Sequence, residues 1–196
     1  MTAGRNAVSK KKDWCTPPKY VNAVKKVFDG IIALDPCSNK HSFVHADTEY
    51  ILPDKDGLKE SWNYPTIYLN PPYGRFKGRT STIYDWFKRC YEANKKYNSE
   101  VIALVPIATN TDHWKKYVFS KATAICFLYD TRLKFFEDGR EIKKGAPMAC
   151  AMIYWGENHD KFYDVFIHHG AVVDIRPLKG EIIGKKRNQS MLDIKI

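Results

Sequence analysis

Asn70-Pro71-Pro72-Tyr73, directly after the β-rich run Thr66-Ile67-Tyr68-Leu69, carries the side chains of this chain best suited to chemistry. Each proline removes a ladder donor and restricts the residue before it to extended geometry, so the backbone is stiff where the strand must stop. The carboxyl end of a strand is where open α/β sheets place their ligands. A rigid Asn, a backbone carbonyl and an aromatic ring at that point suit the gripping of a planar base by its amino group. A plain strand-to-helix turn with Tyr73 on the surface is the alternative for the tetrapeptide alone.

The chemistry such a site could serve is attack by an aromatic amine on a methyl group. The exocyclic nitrogen of adenine is a poor nucleophile, because its lone pair is delocalised into the ring. Two fixed acceptors, the Asn70 side-chain oxygen and the Pro71 carbonyl, would favour a tetrahedral nitrogen as the new bond forms, which is electrostatic preorganisation. Pro72 keeps the grip rigid. Tyr73 would stack on the base, an interaction worth roughly 1–3 kcal/mol in nucleic-acid sites, and a base taken out of a duplex needs such a platform.

A methyl donor must then lie beside the strand end. Asp35 closes the apolar run Ile31-Ile32-Ala33-Leu34 and is followed by Pro36 and Cys37. At a topological switch point its carboxylate can pair with a cationic amino group or sulfonium; a simple Asp-Pro turn is the plainer reading. Trp14-Cys15-Thr16-Pro17 precedes the first helix. The Thr16 hydroxyl and the helix N-terminus could hold a carboxylate, and helix capping by Thr16 explains the pattern equally well. Asp56-Gly57-Leu58, with Trp62 nearby, offers Asp56 as an acceptor for the donor's adenine or as an exposed Asp-Gly turn. Asp47 is a rival for a ribose contact.

The elements that must position these residues alternate. Pro17-Pro18 opens a helix with Thr16 as N-cap and Pro17 at its first position; Val21, Val24 and Phe28 recur at helical spacing, with Val27 beside them, and Gly30 ends it. A short buried strand covers residues 31–34, and thirty irregular residues rich in His, Asp and Asn follow. Residues 66–69 form the second strand. Residues 81–97 read as a helix with Ile83, Trp86, Phe87, Cys90 and Tyr97 on one face. Strands are expected at 101–105, 124–129 and 148–155, a short helix at 112–119 and a hairpin turn on Asp138-Gly139. Residues 171–175 are a candidate further strand. Strands alternating with helices point to an α/β sheet with parallel strands.

The balance of 32 Lys and Arg against 22 Asp and Glu leaves a net charge of +10 and a pI near 9.3. So basic a chain points to a polyanionic partner, nucleic acid being the commonest. No apolar stretch approaches the ~20 residues needed to span a bilayer. Residues 1–12 are polar, unlike a signal peptide, and read as a disordered basic arm. The five cysteines are odd in number, and no two are close enough for a Cys-x-x-Cys site; they indicate reduced thiols and a cytoplasmic compartment. The loop of residues 74–80 places Arg75, Lys77 and Arg79 beside the Asn-Pro-Pro-Tyr turn, where phosphate contact is a sensible role. Around Lys134 the positive charges, Arg140, Lys143 and Lys144 among them, are balanced by Glu137, Asp138 and Glu141. His168-His169 has no third ligand near it in sequence, and Asp112-His113 has no accompanying nucleophile, so structural roles are expected for both and no metal is expected.

The order Thr16-Pro17, Leu34-Asp35-Pro36-Cys37-Ser38, Asp56-Gly57-Leu58 with Trp62, and Asn70-Pro71-Pro72-Tyr73-Gly74 resembles the phage-type DNA N-6-adenine methyltransferase (Dam) family. So do Arg132-Leu133-Lys134-Phe135 and Ala146-Pro147 leading into Ile153-Tyr154-Trp155-Gly156. The match covers roughly residues 13–156. The resemblance implies an α/β, Rossmann-like methyltransferase fold: a mostly parallel central sheet flanked by helices, with an antiparallel C-terminal strand. It implies S-adenosylmethionine as methyl donor, with Trp14, Thr16, Pro17, Asp35, Pro36, Cys37 and Asp56 at the donor. Asn70, Pro71, Pro72 and Tyr73 would hold the adenine, and Arg75, Lys77, Arg79, Arg132 and Lys134 would contact DNA. The chain departs from the larger amino-methyltransferases in lacking their Phe-x-Gly-x-Gly turn; it reads Pro36-Cys37-Ser38-Asn39 after Asp35. No separate target-recognition domain is visible.

The organisation expected is a basic arm at 1–12, a catalytic domain at 13–156 and an extension at 157–196, packed on the same domain and ending in a basic tail. DNA is the expected partner, membrane is not, and a homodimer is a possible assembly. The setting implied is the cytoplasm of a bacterial or phage-infected host cell. Sibling activities would methylate the amino group of cytosine, RNA or a protein glutamine. Enzymes acting on cytosine more often present Ser where this chain has Asn70, and the positive charge favours nucleic acid over protein. A reading of another class is an inactive DNA-binding protein on a methyltransferase scaffold, which would have no need of an intact Asn70-Pro71-Pro72-Tyr73.

Overall fold

In the computed structural model, the structure describes residues 14–73, 81–119, 121–130, 132–143 and 145–178. Nine strands and three α-helices are assigned among them: β1 (Leu34–Asp35), β2 (Thr48–Glu49), β3 (Thr66–Leu69), β4 (Glu100–Pro106), β5 (Ala124–Leu128), β6 (Phe136–Glu137), β7 (Arg140–Glu141), β8 (Cys150–Trp155) and β9 (Gly170–Asp174), with α1 (Pro18–Val27), α2 (Ile83–Tyr97) and α3 (His159–Phe166). Seven strands form one sheet in the order β2-β1-β3-β4-β8-β5-β9, and β6 and β7 form a separate hairpin. β2, β1, β3 and β4 are parallel. β4 and β5 are both antiparallel to β8, so five strands share one direction and β8 and β9 oppose it. This is the expected α/β methyltransferase-like architecture, with two opposed strands in the sheet.

The sheet is covered on both faces, which explains why β4 and β8 read as continuous apolar runs rather than alternating ones. Along β4, Ile102 and Leu104 join Tyr68, Met152 and Tyr154 under α1 and α3. Val101, Ala103 and Val105 join Ile67, Leu69, Ile153 and Trp155 under α2. The two faces thus divide by the period-two pleat of each strand. α2 starts with a capping box in which Thr82 accepts from Tyr84 N and the Asp85 carboxylate accepts from Thr82 N.

Several local expectations are corrected. Thr16 does not cap α1: the N-cap is Pro17, no side chain caps the helix, and Pro18 fills its first position. The Thr16 hydroxyl is taken instead by a buried partner on β3, Tyr68. The stretch at 112–119 contains a π-helical segment, Trp114–Val118, rather than a regular α-helix. α3, which the periodicity did not reveal, packs Phe162 and Phe166 into the α1 side of the core. The Asp-Gly hairpin forms as expected, with Asp138 at φ 50° and Gly139 at φ 76°, both in the left-handed region that a tight two-residue turn requires.

β1 pairs with β2 on one side and β3 on the other. The chain leaves β1 towards β2 and returns across it to β3, so its direction of growth reverses there. Asp35 ends β1, and Asn70 follows the last residue of β3. The two residues singled out by sequence therefore stand at the carboxyl ends of adjacent strands, at the switch point where such sheets bind ligands.

Candidate active site

Asn70 is held from the side by the N-terminal segment. Its Nδ2 donates to the carbonyl of Trp14 at 2.8 Å. Two residues earlier on the same face of β3, the Tyr68 hydroxyl lies 2.7 Å from Thr16 Oγ1. Residues 14–16 are thus laced to β3 by two hydrogen bonds in the i, i+2 register of a strand face. Because Nδ2 is spent on Trp14, the amide plane is fixed and Oδ1 is the group left to present. Among the described residues, no hydrogen bond ends on Asn70 Oδ1 or on the Pro71 carbonyl.

The segment is itself anchored by the hairpin. Cys15 and Phe136 exchange both backbone hydrogen bonds, at 2.8 and 3.0 Å. Trp14 stacks on Phe135 with centroids 5.1 Å apart. Phe135 is fully buried and also meets Tyr73 edge to face at 6.1 Å. The ring of Phe135 therefore sets the spacing between the residue that orients Asn70 and the aromatic residue that ends its motif.

Tyr73 is half-buried, with its hydroxyl donating to the Leu104 carbonyl on β4 at 3.2 Å. Burial holds its phenol far above the ordinary range, so it is neutral. Tyr73 is thus part of the packed edge of the sheet and not a surface aromatic. Pro71 is buried and Pro72 half-buried.

Asp35 is nearly fully buried, and among the described residues no cation pairs with it. Its Oδ1 accepts from Cys37 N at 3.1 Å, closing an Asx turn over Pro36. Burial is the main cause that lifts its pKa to about 7; the Glu49 charge adds to the rise, and the Cys37 amide opposes it. The half-buried Cys37 thiol faces Asp35 and the backbone amide of Asn70, and its desolvation pushes its pKa up as well.

Glu49, at the end of β2, was not singled out in the sequence, which offered Asp47 and Asp56 for the same region. Glu49 Oε1 is buried without a hydrogen-bond partner, and the buried Ser38 hydroxyl lies against the Asp35 carboxylate, where it opposes the rise in its pKa. Asp47 is exposed. Asp56 turns on itself, accepting from Leu58 N at 3.3 Å with Lys59 Nζ at 3.9 Å. The signal that could have found Glu49 was parallel pairing, since Asp35 and Glu49 are register partners. A two-residue strand inside a long irregular stretch gives no periodicity to read.

The Asp56-Gly57-Leu58 turn presses directly on the Asp35-Pro36-Cys37 loop. A Cβ on Gly57 would lie 1.7 Å from the Pro36 carbonyl oxygen, so only glycine fits. Trp62 Nε1 holds the turn by donating to the Gly57 carbonyl at 2.7 Å.

Among the described residues, a buried carboxylate with no cation beside it and an orphaned Glu49 oxygen stand at the ends of β1 and β2, and both are costly in a folded chain without a ligand. They fit a molecule carrying a cationic centre and hydroxyl groups. Arg132 and Lys134 are exposed on the irregular segment that enters the hairpin. Arg75, Lys77, Arg79 and Lys144 lie outside the described residues. Asp112-His113 behaves structurally: the His113 ring packs on Phe87 at 4.8 Å and its Nε2 lies 3.1 Å from Thr111 Oγ1. His169 packs among Tyr20 and Phe166. Among the described residues, no helix is long and apolar enough to cross a membrane.

Comparison with protein families matches residues 4–176 to the family described as DNA N-6-adenine-methyltransferase (Dam). No curated protein and no solved structure is matched.

Proposed function

The chain belongs to the DNA N-6-adenine-methyltransferase (Dam) family, a family of DNA adenine methyltransferases, and from that premise we propose that it moves the methyl group of S-adenosylmethionine to the exocyclic amino nitrogen of adenine. The observation that carries this reading is the Asn70–Trp14 hydrogen bond. It commits Nδ2 to a backbone carbonyl, and among the described residues neither Asn70 Oδ1 nor the Pro71 carbonyl has a hydrogen-bond partner, which supports their use as two acceptors for a base.

On this reading the amino group of adenine donates to Asn70 Oδ1 and to the Pro71 carbonyl. Its nitrogen becomes more tetrahedral and its lone pair localises. The new N–C bond forms as the S–C bond breaks, and the electron pair of that bond neutralises the sulfonium as a thioether. The nitrogen then carries a positive charge and loses one proton to water. Tyr73 contributes the ring against which the base packs. Bound S-adenosylmethionine supplies an activated methyl group. Asp35 would hold its cationic part, Glu49 and Ser38 its hydroxyl groups, and residues 36–37 and 56–58 would form the walls of that site. Thr16 and Trp14 act at one remove, by fixing the face of β3 that carries Asn70.

Calorimetric titration with S-adenosylmethionine, followed by radiolabelled methyl transfer to methyl-free DNA, RNA and protein, tests the proposal. Binding of the donor with label on DNA as N-6-methyladenine supports it. Label confined to cytosine, RNA or protein selects a sibling activity, and absence of donor binding removes the methyltransferase reading.

A further inference from the structure

A groove of about 480 Å³ runs between the start of α1 and the segment that enters β6. It is lined by Pro17, Pro18, Lys19, Arg132, Lys134 and Phe136. Its charges are unequal in kind. Lys19 Nζ lies 2.7 Å from Asp130, and Lys134 Nζ lies 3.3 Å from Glu141, so two of its three cations are neutralised. Arg132 is exposed, and among the described residues no carboxylate pairs with it.

The backbone under Arg132 is clamped. Leu133 and Phe135 bury their side chains on either side of Lys134. Ala146 N donates to the Leu133 carbonyl at 2.7 Å, and a Cβ on Gly145 would lie 2.3 Å from Arg132 Cβ. A guanidinium is thus displayed from a fixed point, with its charge left over for something outside the chain.

The groove's position says what that is. Along the carboxyl edge of the sheet, Asp35 lies on the β1–β2 side of Asn70, and Asp130, just beyond β5, lies on the other. The groove opens on that second side, yet its Pro17 and Phe136 flank the same segment whose Trp14 carbonyl holds Asn70. A polynucleotide with one base at Asn70 therefore has the donor region to one side and this groove to the other. Resting on the proposed DNA methyltransferase reading, we propose that the groove seats the DNA strand next to the target adenine, with Arg132 taking one phosphodiester. A planar, permanently charged fork suits a phosphate oxygen pair better than an ammonium does.

The test is the salt dependence of binding of a methyl-free duplex by the full chain, for wild type, Arg132→Ala and Arg132→Lys. Loss of one phosphate contact lowers the slope of log affinity against log salt by about 0.9. Arg132→Ala is expected to show that drop, with roughly tenfold weaker binding on every sequence tried, while donor affinity and melting temperature stay at wild-type values. Arg132→Lys is expected to keep the wild-type slope and lose part of the affinity. If wild type binds duplex and donor but Arg132→Ala keeps slope and affinity, the groove assignment is overturned and the proposed activity stands. If wild type fails to bind DNA at all, both are overturned.

Discussion

The Asn70 side-chain amide donates to the Trp14 carbonyl at 2.8 Å, across 56 residues of sequence. This bond commits the Nδ2 end of the amide and leaves Oδ1 without a hydrogen-bond partner among the described residues. An Asn with a free rotor would offer a donor as readily as an acceptor, and a donor repels an amino group. On the proposed reading, anchoring Nδ2 makes the motif an acceptor before substrate binds, which is where electrostatic preorganisation gains its effect.

Replacement of Asn70 by Ala is expected to leave S-adenosylmethionine affinity within twofold of wild type and to lower kcat by about 10²–10³, the cost typical of losing one preorganised polar group. Calorimetry and single-turnover methyl transfer measure the two quantities. Full turnover in the Ala variant would remove Asn70 from the mechanism.

Asp35 is expected to make apo stability and donor binding depend on pH in opposite senses. Its folded pKa, about 7, lies above its ordinary value of 3.8 because burial penalises the carboxylate. The folded state then holds more protons than the unfolded state between those values. The stability contributed by protonated Asp35 is complete below about pH 4 and is lost as pH rises towards 7, on the order of 4 kcal/mol in all. Asp35→Asn keeps an acceptor for the Cys37 amide. It should therefore melt higher than wild type at pH 8 and similarly at pH 4, and should not bind the donor. Wild-type donor affinity should weaken as pH falls below 7, since a cationic ligand needs the carboxylate. Melting curves and titrations at pH 5, 6, 7 and 8 check both trends; a flat donor profile would argue against the pairing.

Thr16 and Tyr68 form a buried pair whose members are each costly to orphan. Thr16→Val or Tyr68→Phe alone is expected to cost about 1–3 kcal/mol of stability, and the double variant less than the sum, because no hydroxyl is then left without a partner. Denaturant unfolding of the four proteins gives the coupling. The single variants should also lower kcat with donor affinity unchanged, by loosening the strand face that carries Asn70. A loss of donor affinity instead would mean that the Thr16 hydroxyl touches the donor.

Gly57→Ala would drive a methyl group into the Pro36 carbonyl. The loop of residues 35–37 must then move, so donor affinity should fall at least tenfold even if the variant folds. Calorimetry beside a melting curve distinguishes displacement of the loop from global unfolding. Wild-type affinity in this variant would show that the Asp56-Gly57-Leu58 turn does not shape the donor site.

The architecture was legible because β3, β4, β5 and β8 are apolar enough to declare themselves and the intervening helices keep their periodicity. α3 was missed because His159, Asp160, Lys161 and Asp164 dominate so short a helix that two buried Phe residues give no clear stripe. Thr16 reads as a helix cap because a cap and a long-range hydrogen bond use the same hydroxyl, and only the arrival of Tyr68 from β3 separates them. Glu49 was passed over because its strand is two residues long.

What the sequence determined by itself was chemical identity. Two prolines make a stiff strand end, Asp35-Pro36 ends another, and their order in the chain with the later motifs marks the family. Those are properties of local backbone geometry and side-chain type, which act over a few residues. Tertiary structure decided the rest. It set Asp35 beside Asn70 through β1–β3 pairing, left Asp35 buried with no cation among the described residues, and orphaned a Glu49 oxygen next to it. It also turned the Asn70 amide by means of a carbonyl 56 residues away. Each of these depends on which strands become neighbours and how much water they exclude, and desolvation and long-range hydrogen bonding exist only once the sheet has closed.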